Sequence, residues 1–318
     1  MSLHIAVDIG GTQLRAACYP DDSLIPLKLN RIPTHDPQAT PLERLQSVIA
    51  SVWPGEERVA AIGVAAPGPL DPYQGILIAA PNIPGWESLP LRQYLEDHFK
   101  APVALGNDAN LAALGELKFG AGQGHHHLIY LTVSTGIGSG IIIDDRMLLG
   151  QRGIAAELGH VTILSDGPLC GCGQPGHLEA VASGTAIARW VQEQLAHGAS
   201  SSLPAGKTLT AKMIAIAAKQ GDELAAAGLT QAGTYLGIAL AGFLHTFNPS
   251  AVIIGGGVSR SGPFLFDPLR KALERRVMSP HYLDNLTLTQ AALGDEAGLM
   301  GALALARSQV PVYSIDSP

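Results

Sequence analysis

Cysteine is scarce in this chain. Its 318 residues include three, too few for a disulfide framework, and one of these, Cys18, sits inside the apolar run LRAACY and reads as core. Charge is scarce as well: 15% of residues are charged, the net charge is −7, and no dense Lys/Arg run or basic stripe occurs. Nucleic acid and anionic membranes are therefore not expected as partners. No apolar run approaches the roughly 20 residues needed to cross a bilayer. The opening MSLHIAVDIGG enters a strand pattern without a basic leader or a small-residue cleavage site. A cytoplasmic protein is expected, in which paired cysteines serve a metal or catalysis rather than a staple. Any phosphate it binds must be held by backbone dipoles, a metal ion and a few placed side chains.

Apolar residues (47%) and glycines (37 of them) are abundant. They are enough for a large core and, at this length, for roughly two domains. Short β-rich runs alternate with helical-period segments, the signature of an α/β chain. LHIAVDI and LRAACY flank a GGTQ turn, and HLIYLTV and IGSGIII flank STG in the same way. PLERLQSVIASVW, DANLAALGELKFG and DEAGLMGALALA read as helices, RVAAIGVAA, VALGN and AVIIG as strands, and residues 181–248 as mostly helical. The two strand–turn–strand units imply duplicated domains that each offer a loop to a shared ligand, or else two ordinary tight hairpins.

Three glycine-rich turns point to a nucleotide. In DIGGT, Gly10 and Gly11 let the backbone approach a phosphate, Thr12 adds a hydroxyl, and Asp8 at a strand end can hold Mg²⁺ through water. STGIG offers the same kit in Thr135, Gly136 and Gly138. IIGGGVS places Gly256 and Gly257 where a base or ribose can lie against bare backbone. None has the Walker or dinucleotide spacing.

Two polar constellations follow. Asp108, after VALGN and at the head of a helix, is either an N-cap or a general base aimed into the crevice at the C-terminal ends of the strands. Asn107 beside it can donate to and accept from vicinal hydroxyls. Further on, CGCGQPGHLE holds Cys170, Cys172 and His177, and AELGH supplies His160. The set fits tetrahedral Zn²⁺, although one residue between the cysteines is shorter than usual for fingers; a structural loop is the alternative, and a redox pair is disfavoured because Cys-x-x-Cys is the expected redox spacing. Glu157 and Glu179 bracket the set and can accept hydrogen bonds from hydroxyls. HHH at 125–127 alternates faces on a strand and is not expected to bind metal. Trp86, in PNIPGW, either lines a pocket or covers a loop.

In order and spacing, DIGGT, GVAAPGPLD, PNIPGW, GNDANLAALGE, STGIGSGI, AELGH, CGCGQPGHLE, NPSAVIIGGGVS and GDEAGLMGA resemble the ROK family (repressors, open reading frames and sugar kinases), and within it the bacterial glucokinases. The resemblance implies an actin-like ATPase (ribonuclease H-like) α/β fold of two domains around a cleft. Residues 1–110 plus 297–318 would form a small N-terminal domain with the closing C-terminal helix, and residues 111–296 a large domain carrying the zinc loop. It implies Mg²⁺·ATP and a hexose as small-molecule partners, a homodimer, and transfer to the sugar 6-hydroxyl, most readily that of glucose. Asp108 would be the base, and Asn107, Glu157, His160, Glu179, Asn82 and Gly68 would line the sugar site. The two hairpin turns would hold the phosphates, with Gly256 and Gly257 against the adenosine. His160, Cys170 and Cys172 fall on the family's structural zinc positions.

The chain departs from the family pattern twice. His177 stands where a third cysteine is common, and His is itself a good zinc ligand. Gln13 stands where a lysine is frequent, which removes a cation near the phosphates. N-acetylmannosamine, mannose, allose or fructose as substrate, and polyphosphate as donor, are alternatives. A sugar-sensing repressor is not expected, because only seven residues precede Asp8.

Overall fold

The computed structural model describes residues 2–80, 82–204 and 206–308. The chain forms two compact units. The first comprises residues 1–124, 140–156 and 292–318, and the second residues 125–139 and 157–291.

Unit 1 is built on a five-stranded sheet. Its strands are β1 (Leu3–Ile9), β2 (Gln13–Pro20), β3 (Lys28–Pro33), β4 (Val59–Ala66) and, after short strands β5 (Leu70–Asp71), β6 (Ile76–Ala79) and β7 (Glu87–Leu89), β8 (Val103–Asn107). The order is β3-β2-β1-β4-β8, antiparallel across β1, β2 and β3 and parallel across β1, β4 and β8, while β5, β6 and β7 form a small separate sheet. Leu3, Ile5, Val7 and Ile9 alternate on one face of β1 and pack with Leu45 and Ile49 of helix α1 (Pro41–Val52) and with Leu91 and Leu95 of α2 (Leu91–Phe99) in one core. Thr40 and Glu43 cap α1 reciprocally, with Pro41 preset at its first position. Cys18 is buried as expected, and Trp86 joins this core rather than a pocket wall.

Helix α3 (Asp108–Phe119) follows β8 directly and packs on the closing helix, Ala297–Arg307. Glycine makes that approach possible. A Cβ at Gly301 would sit 1.8 Å from the Leu111 carbonyl oxygen, and one at Gly63 of β4 1.9 Å from that of Ala302. Glu116 of α3 is fully buried, and backbone N–H groups of Ala121, Ala292 and Leu293 satisfy its carboxylate at 2.7, 3.2 and 2.8 Å. These contacts keep α3 wholly within unit 1, so the compact units divide the chain at points other than the expected 110/111 boundary.

In unit 2, β9 (Leu128–Val133) leads through a turn to β10 (Ile137–Ile143), whose later residues return to unit 1 and pair with β11 (Arg146–Met147). Strand β12 (Ala251–Gly255) lies parallel to both β9 and β13 (Thr287–Gln290). Its helices are α4 (Leu178–Ala182), α5 (Gly184–Ala196), α6 (Ala211–Lys219), α7 (Glu223–Phe247) and α8 (Pro263–Arg276), and α9 (Ala297–Arg307) closes the chain in unit 1. Contrary to the sequence expectation, α7 is long and apolar enough to cross a membrane. Its leucines, with Ile238 and two phenylalanines, supply most of its hydropathy but are spaced among alanine, glycine and polar residues rather than forming a run, and much of the helix is interior. Cβ atoms at Gly233 and Gly237 would lie 2.4 and 2.3 Å from the carbonyl oxygens of Leu265 and Leu269, so α8 rests directly on its backbone.

Candidate functional site

The predicted residues of unit 1 gather at the C-terminal ends of β1, β4 and β8. Asp8 is half-buried one residue before the end of β1, and its Oδ2 accepts Nε–H of Arg15 at 3.0 Å and a second N–H of the same guanidinium. The turn that follows is closed by Gly10 N–H donating to the Gln13 carbonyl at 2.9 Å. Thr34, fully buried, braces it: its hydroxyl donates to the Gly10 carbonyl at 2.6 Å and its N–H to that of Thr12 at 2.9 Å. Thr12 itself is exposed, with its hydroxyl available. A methyl group at Gly11 would sit 2.7 Å from Asn82 Cβ, and one at Gly68 2.7 Å from Asn107 Nδ2. The two glycines thus permit close approach of the two asparagines predicted to hold sugar hydroxyls.

At the head of α3 the structure separates two adjacent polar residues. Asn107 is the N-cap, its Oδ1 accepting from Ala109 and Asn110 at 3.0 and 3.3 Å. Asp108 is the first helical residue, with Oδ1 2.7 Å from the Ala109 nitrogen. The capping role considered for Asp108 therefore falls to its neighbour.

Unit 2 brings together His160, Cys170, Cys172 and His177, with all four donor atoms within 4.8 Å of one another. Cys170 Sγ is 3.6 Å from His160 Nδ1, and Cys172 Sγ 3.3 Å from His177 Nδ1. A tetrahedral zinc with ordinary Zn–S and Zn–N bonds sets S···N edges of roughly 3.6 Å, so the residues fit the ion. The loop is shaped for this. Gly176, at φ +70°, would carry a Cβ 1.6 Å from the Leu164 carbonyl oxygen, and Leu178 N–H returns to the Val161 carbonyl at 2.9 Å. Burial pushes the Cys170 thiol up to about 11; the backbone N–H of Cys172 opposes the rise, and the side chains of Cys172 and Glu179 add to it. A cation must therefore displace that proton.

The two glutamates differ. Burial raises the Glu157 pKa; nearby His160 opposes the rise and Glu179 adds to it. Glu179 is doubly engaged: Oε1 accepts the Cys170 thiol at 3.4 Å and Oε2 accepts Ile137 N–H at 2.9 Å. It therefore links the Cys/His cluster to the tip of the β9–β10 turn. The same tip is held by Gly184 N–H on the Ser134 carbonyl at 2.7 Å and by the Thr185 hydroxyl on that of Thr135 at 2.8 Å.

A cavity of about 740 Å³ opens beside this tip, walled by Ser134, Thr135, Thr185, Thr210 and Gly257, with Arg189, Lys212, Lys219 and Arg260 supplying positive charge. Of the predicted nucleotide residues in this unit, Thr135 and Gly257 are on its wall. Gly136 and Gly256 are not on that wall, and both positions are required by packing. Their Cβ atoms would lie 2.4 Å from Glu179 Oε2 and 2.3 Å from the Val133 carbonyl oxygen, and Gly256 has φ +80°. Gly138 lies within β10. Sequence reasoning missed the pocket's four cations and Arg15, which are scattered singly along the chain and form no run. His125 hydrogen-bonds Ser250 at 2.9 Å and is not part of the Cys/His cluster.

Two α/β units, each presenting a glycine turn from a central sheet, define the class: an actin-like ATPase fold. The ROK family model matches residues 4–309, and the chain belongs to the ROK family. It is 38% identical over 311 residues to a glucokinase of Thermotoga maritima, covering 96% of this chain and 98% of that one. Among solved structures, the ROK hexokinase of Thermus thermophilus is 37% identical at a TM-score of 0.81, with 96% and 97% of the two chains covered. A ROK family glucokinase of Streptomyces griseus, in complex with glucose and AMPPNP, is 36% identical at a TM-score of 0.78, with 96% and 99% covered.

Proposed function

We propose that the protein transfers the γ-phosphoryl group of ATP to the 6-hydroxyl of a hexose, with glucose as the preferred acceptor. The observation that carries this reading is the full-length likeness to the Streptomyces griseus glucokinase with glucose and AMPPNP. The local geometry supports it. Asp108 stands at the head of α3, where β8 ends, and takes the proton of the 6-hydroxyl as its oxygen attacks phosphorus and the bond to ADP breaks. Asn107 Nδ2, Asn82, Gly68, Glu157 and Glu179 hold the other hydroxyls. His160 uses Nδ1 toward the cysteines and keeps Nε2 for the sugar. Gly10, Gly11 and Thr12, together with Thr135, Gly136 and Gly138, hold the phosphates, and Gly256 and Gly257 support the adenosine.

The cavity cations Arg189, Lys212 and Arg260 take the role that Gln13 leaves unfilled. Asp8, one of whose oxygens is without a hydrogen bond among the described residues, fits a water-mediated Mg²⁺, which supplies charge neutralisation on the transferring group. His160, Cys170, Cys172 and His177 would hold a structural Zn²⁺, keeping Glu157 and Glu179 in place as a support rather than as a water activator. On the same reading the enzyme is a cytoplasmic homodimer that commits glucose to glycolysis, closed two-fold assemblies being the commonest.

The test is a coupled assay for ADP release with glucose, mannose, fructose, allose, N-acetylglucosamine and N-acetylmannosamine, and with polyphosphate in place of ATP. Glucose is expected to turn over best, and Asp108→Asn to lose on the order of 10²-fold or more in kcat. Absence of turnover with every sugar, or full activity in Asp108→Asn, overturns the assignment.

A further inference from the structure

Asp8, Arg15 and Arg31 form one row across three adjacent strands of unit 1. Asp8 is the register partner of Arg15 between β1 and β2, and Arg15 that of Arg31 between β2 and β3. Register partners on one face meet through their side chains. Arg15 places Nε and a second nitrogen on the same Asp8 oxygen, Oδ2. Its remaining nitrogen, Nη1, is 3.2 Å from Oε1 of Glu296, which also accepts from Arg31 at 2.7 Å. The Arg15 side chain is 13% exposed, so solvent screens the contact little. On the other side of Asp8 is the first turn of α9: a methyl group at Gly298 would come within 3.2 Å of Oδ1. Oδ1 itself has no hydrogen-bond partner among the described residues.

We propose that Arg15 is the positioning residue for Asp8, on the reading above that Asp8 serves Mg²⁺·ATP. By occupying Oδ2 it fixes the plane of the carboxylate and leaves Oδ1 as the single acceptor for a water of the magnesium shell. Arginine suits this role and lysine does not, because only a fork of donors can hold Asp8 and Glu296 at once. A positive charge beside a cation site also repels the cation, so two effects of opposite sign compete. Glu296, shared with Arg31, offsets part of the Arg15 charge, and orientation is expected to outweigh repulsion, so that removal of Arg15 weakens the response to magnesium.

The experiment is calorimetric binding of AMPPNP to the full chain, with and without added Mg²⁺, for wild type, Arg15→Met, Arg15→Lys, Asp8→Asn and the double variant Asp8→Asn/Arg15→Met. Wild type is expected to bind more tightly with Mg²⁺. Arg15→Met is expected to lose roughly tenfold of that gain, the scale for removing a partner that orients a ligand, while binding without Mg²⁺ changes less than about twofold. Arg15→Lys is expected to share the loss with a melting temperature closer to wild type, which separates it from general unfolding. The double variant is expected to lose no more than Asp8→Asn alone. An unchanged or larger magnesium gain in Arg15→Met, or losses that simply add in the double variant, overturns the proposal. If Asp8→Asn itself keeps the gain, the magnesium reading of Asp8 fails first and takes this one with it.

Discussion

The turns after β1 and after β9 are written in nearly the same residues, yet they are held in different ways. The first, around Gly10 and Gly11, is braced by Thr34 just past the neighbouring strand β3 and by its own Gln13. Its supports are local, within one sheet. The tip of the second, Ser134 to Ile137, hangs on Glu179, Gly184 and Thr185, more than 40 residues onward, and Glu179 also touches the Cys170 thiol. One motif is thus held by its own sheet, and the other by a loop that converges on a Cys/His cluster. A shared sequence pattern says what a turn offers a ligand. It does not say what keeps the turn in place.

The largest effect expected from this contrast follows metal removal. With a chelator, or with Cys172→Ser, hydrogen exchange at residues 134–137 should rise steeply while residues 10–13 keep their protection. On the proposed zinc site, Cys172→Ser removes a ligand outright, so zinc affinity should fall by more than the roughly 10- to 100-fold that loss of a supporting partner costs. Equal loss at both turns would erase the distinction. The pH dependence sharpens it. The Cys170 thiol is raised from 9.0 to about 11 in the folded chain, chiefly by burial. A raised pKa contributes stability that is present below about pH 9 and is lost as pH climbs toward 11. Metal-free protein should therefore lose melting temperature across that window. Zinc-loaded protein, which already holds the thiolate, should not. Parallel curves would mean that Cys170 is not a ligand.

Next in size are two neighbouring glycines of unit 2. Gly256→Ala forces a side chain onto φ +80° and against the Val133 backbone, which should cost about 3 kcal/mol in denaturant unfolding. Gly257→Ala meets nothing within 4 Å and faces the cavity, so it should leave stability nearly unchanged and act on nucleotide affinity. A smaller effect is expected on the first turn. Thr34→Val leaves the Gly10 carbonyl without its hydroxyl donor and should cost about 1–2 kcal/mol, raising exchange at residues 10–13 and not at 134–137.

Much of this was legible from the residues. The strands around DIGGT and STG, α1, α3, α9 and the glycine strand β12 lie where their periodicity put them. The gathering of His160, Cys170, Cys172 and His177 was legible in residue type and spacing, together with the family resemblance. Other features depend on topology, which local pattern does not carry. Glu116 reads as one acid in an apolar helix, and only the fold shows that residues 121, 292 and 293 converge on it. Asn107 and Asp108 are both good capping residues, so the pair could not announce which one caps. Arg15 became visible only when strand register set it opposite Asp8. The length of α7 was missed because its leucines are spaced among alanine, glycine and polar residues rather than forming a run.

The smallest predicted effect concerns the residue at which the chain passes from unit 1 to unit 2. Ala156 has φ +68°, a left-handed conformation that glycine adopts freely and alanine does not. The next residue is Glu157. A strained residue persists only where its surroundings over-determine it, so the packing around Ala156 holds the backbone that leads into Glu157. Ala156→Gly should relieve the strain and raise stability by about 1 kcal/mol or less, since glycine also gives the unfolded chain more freedom to lose. If the alanine matters for aim, the same variant should raise the hexose KM severalfold with kcat little changed. A gain in stability with KM unmoved would instead make Ala156 a tolerated strain, and the orientation of Glu157 would then rest on the Cys/His loop alone.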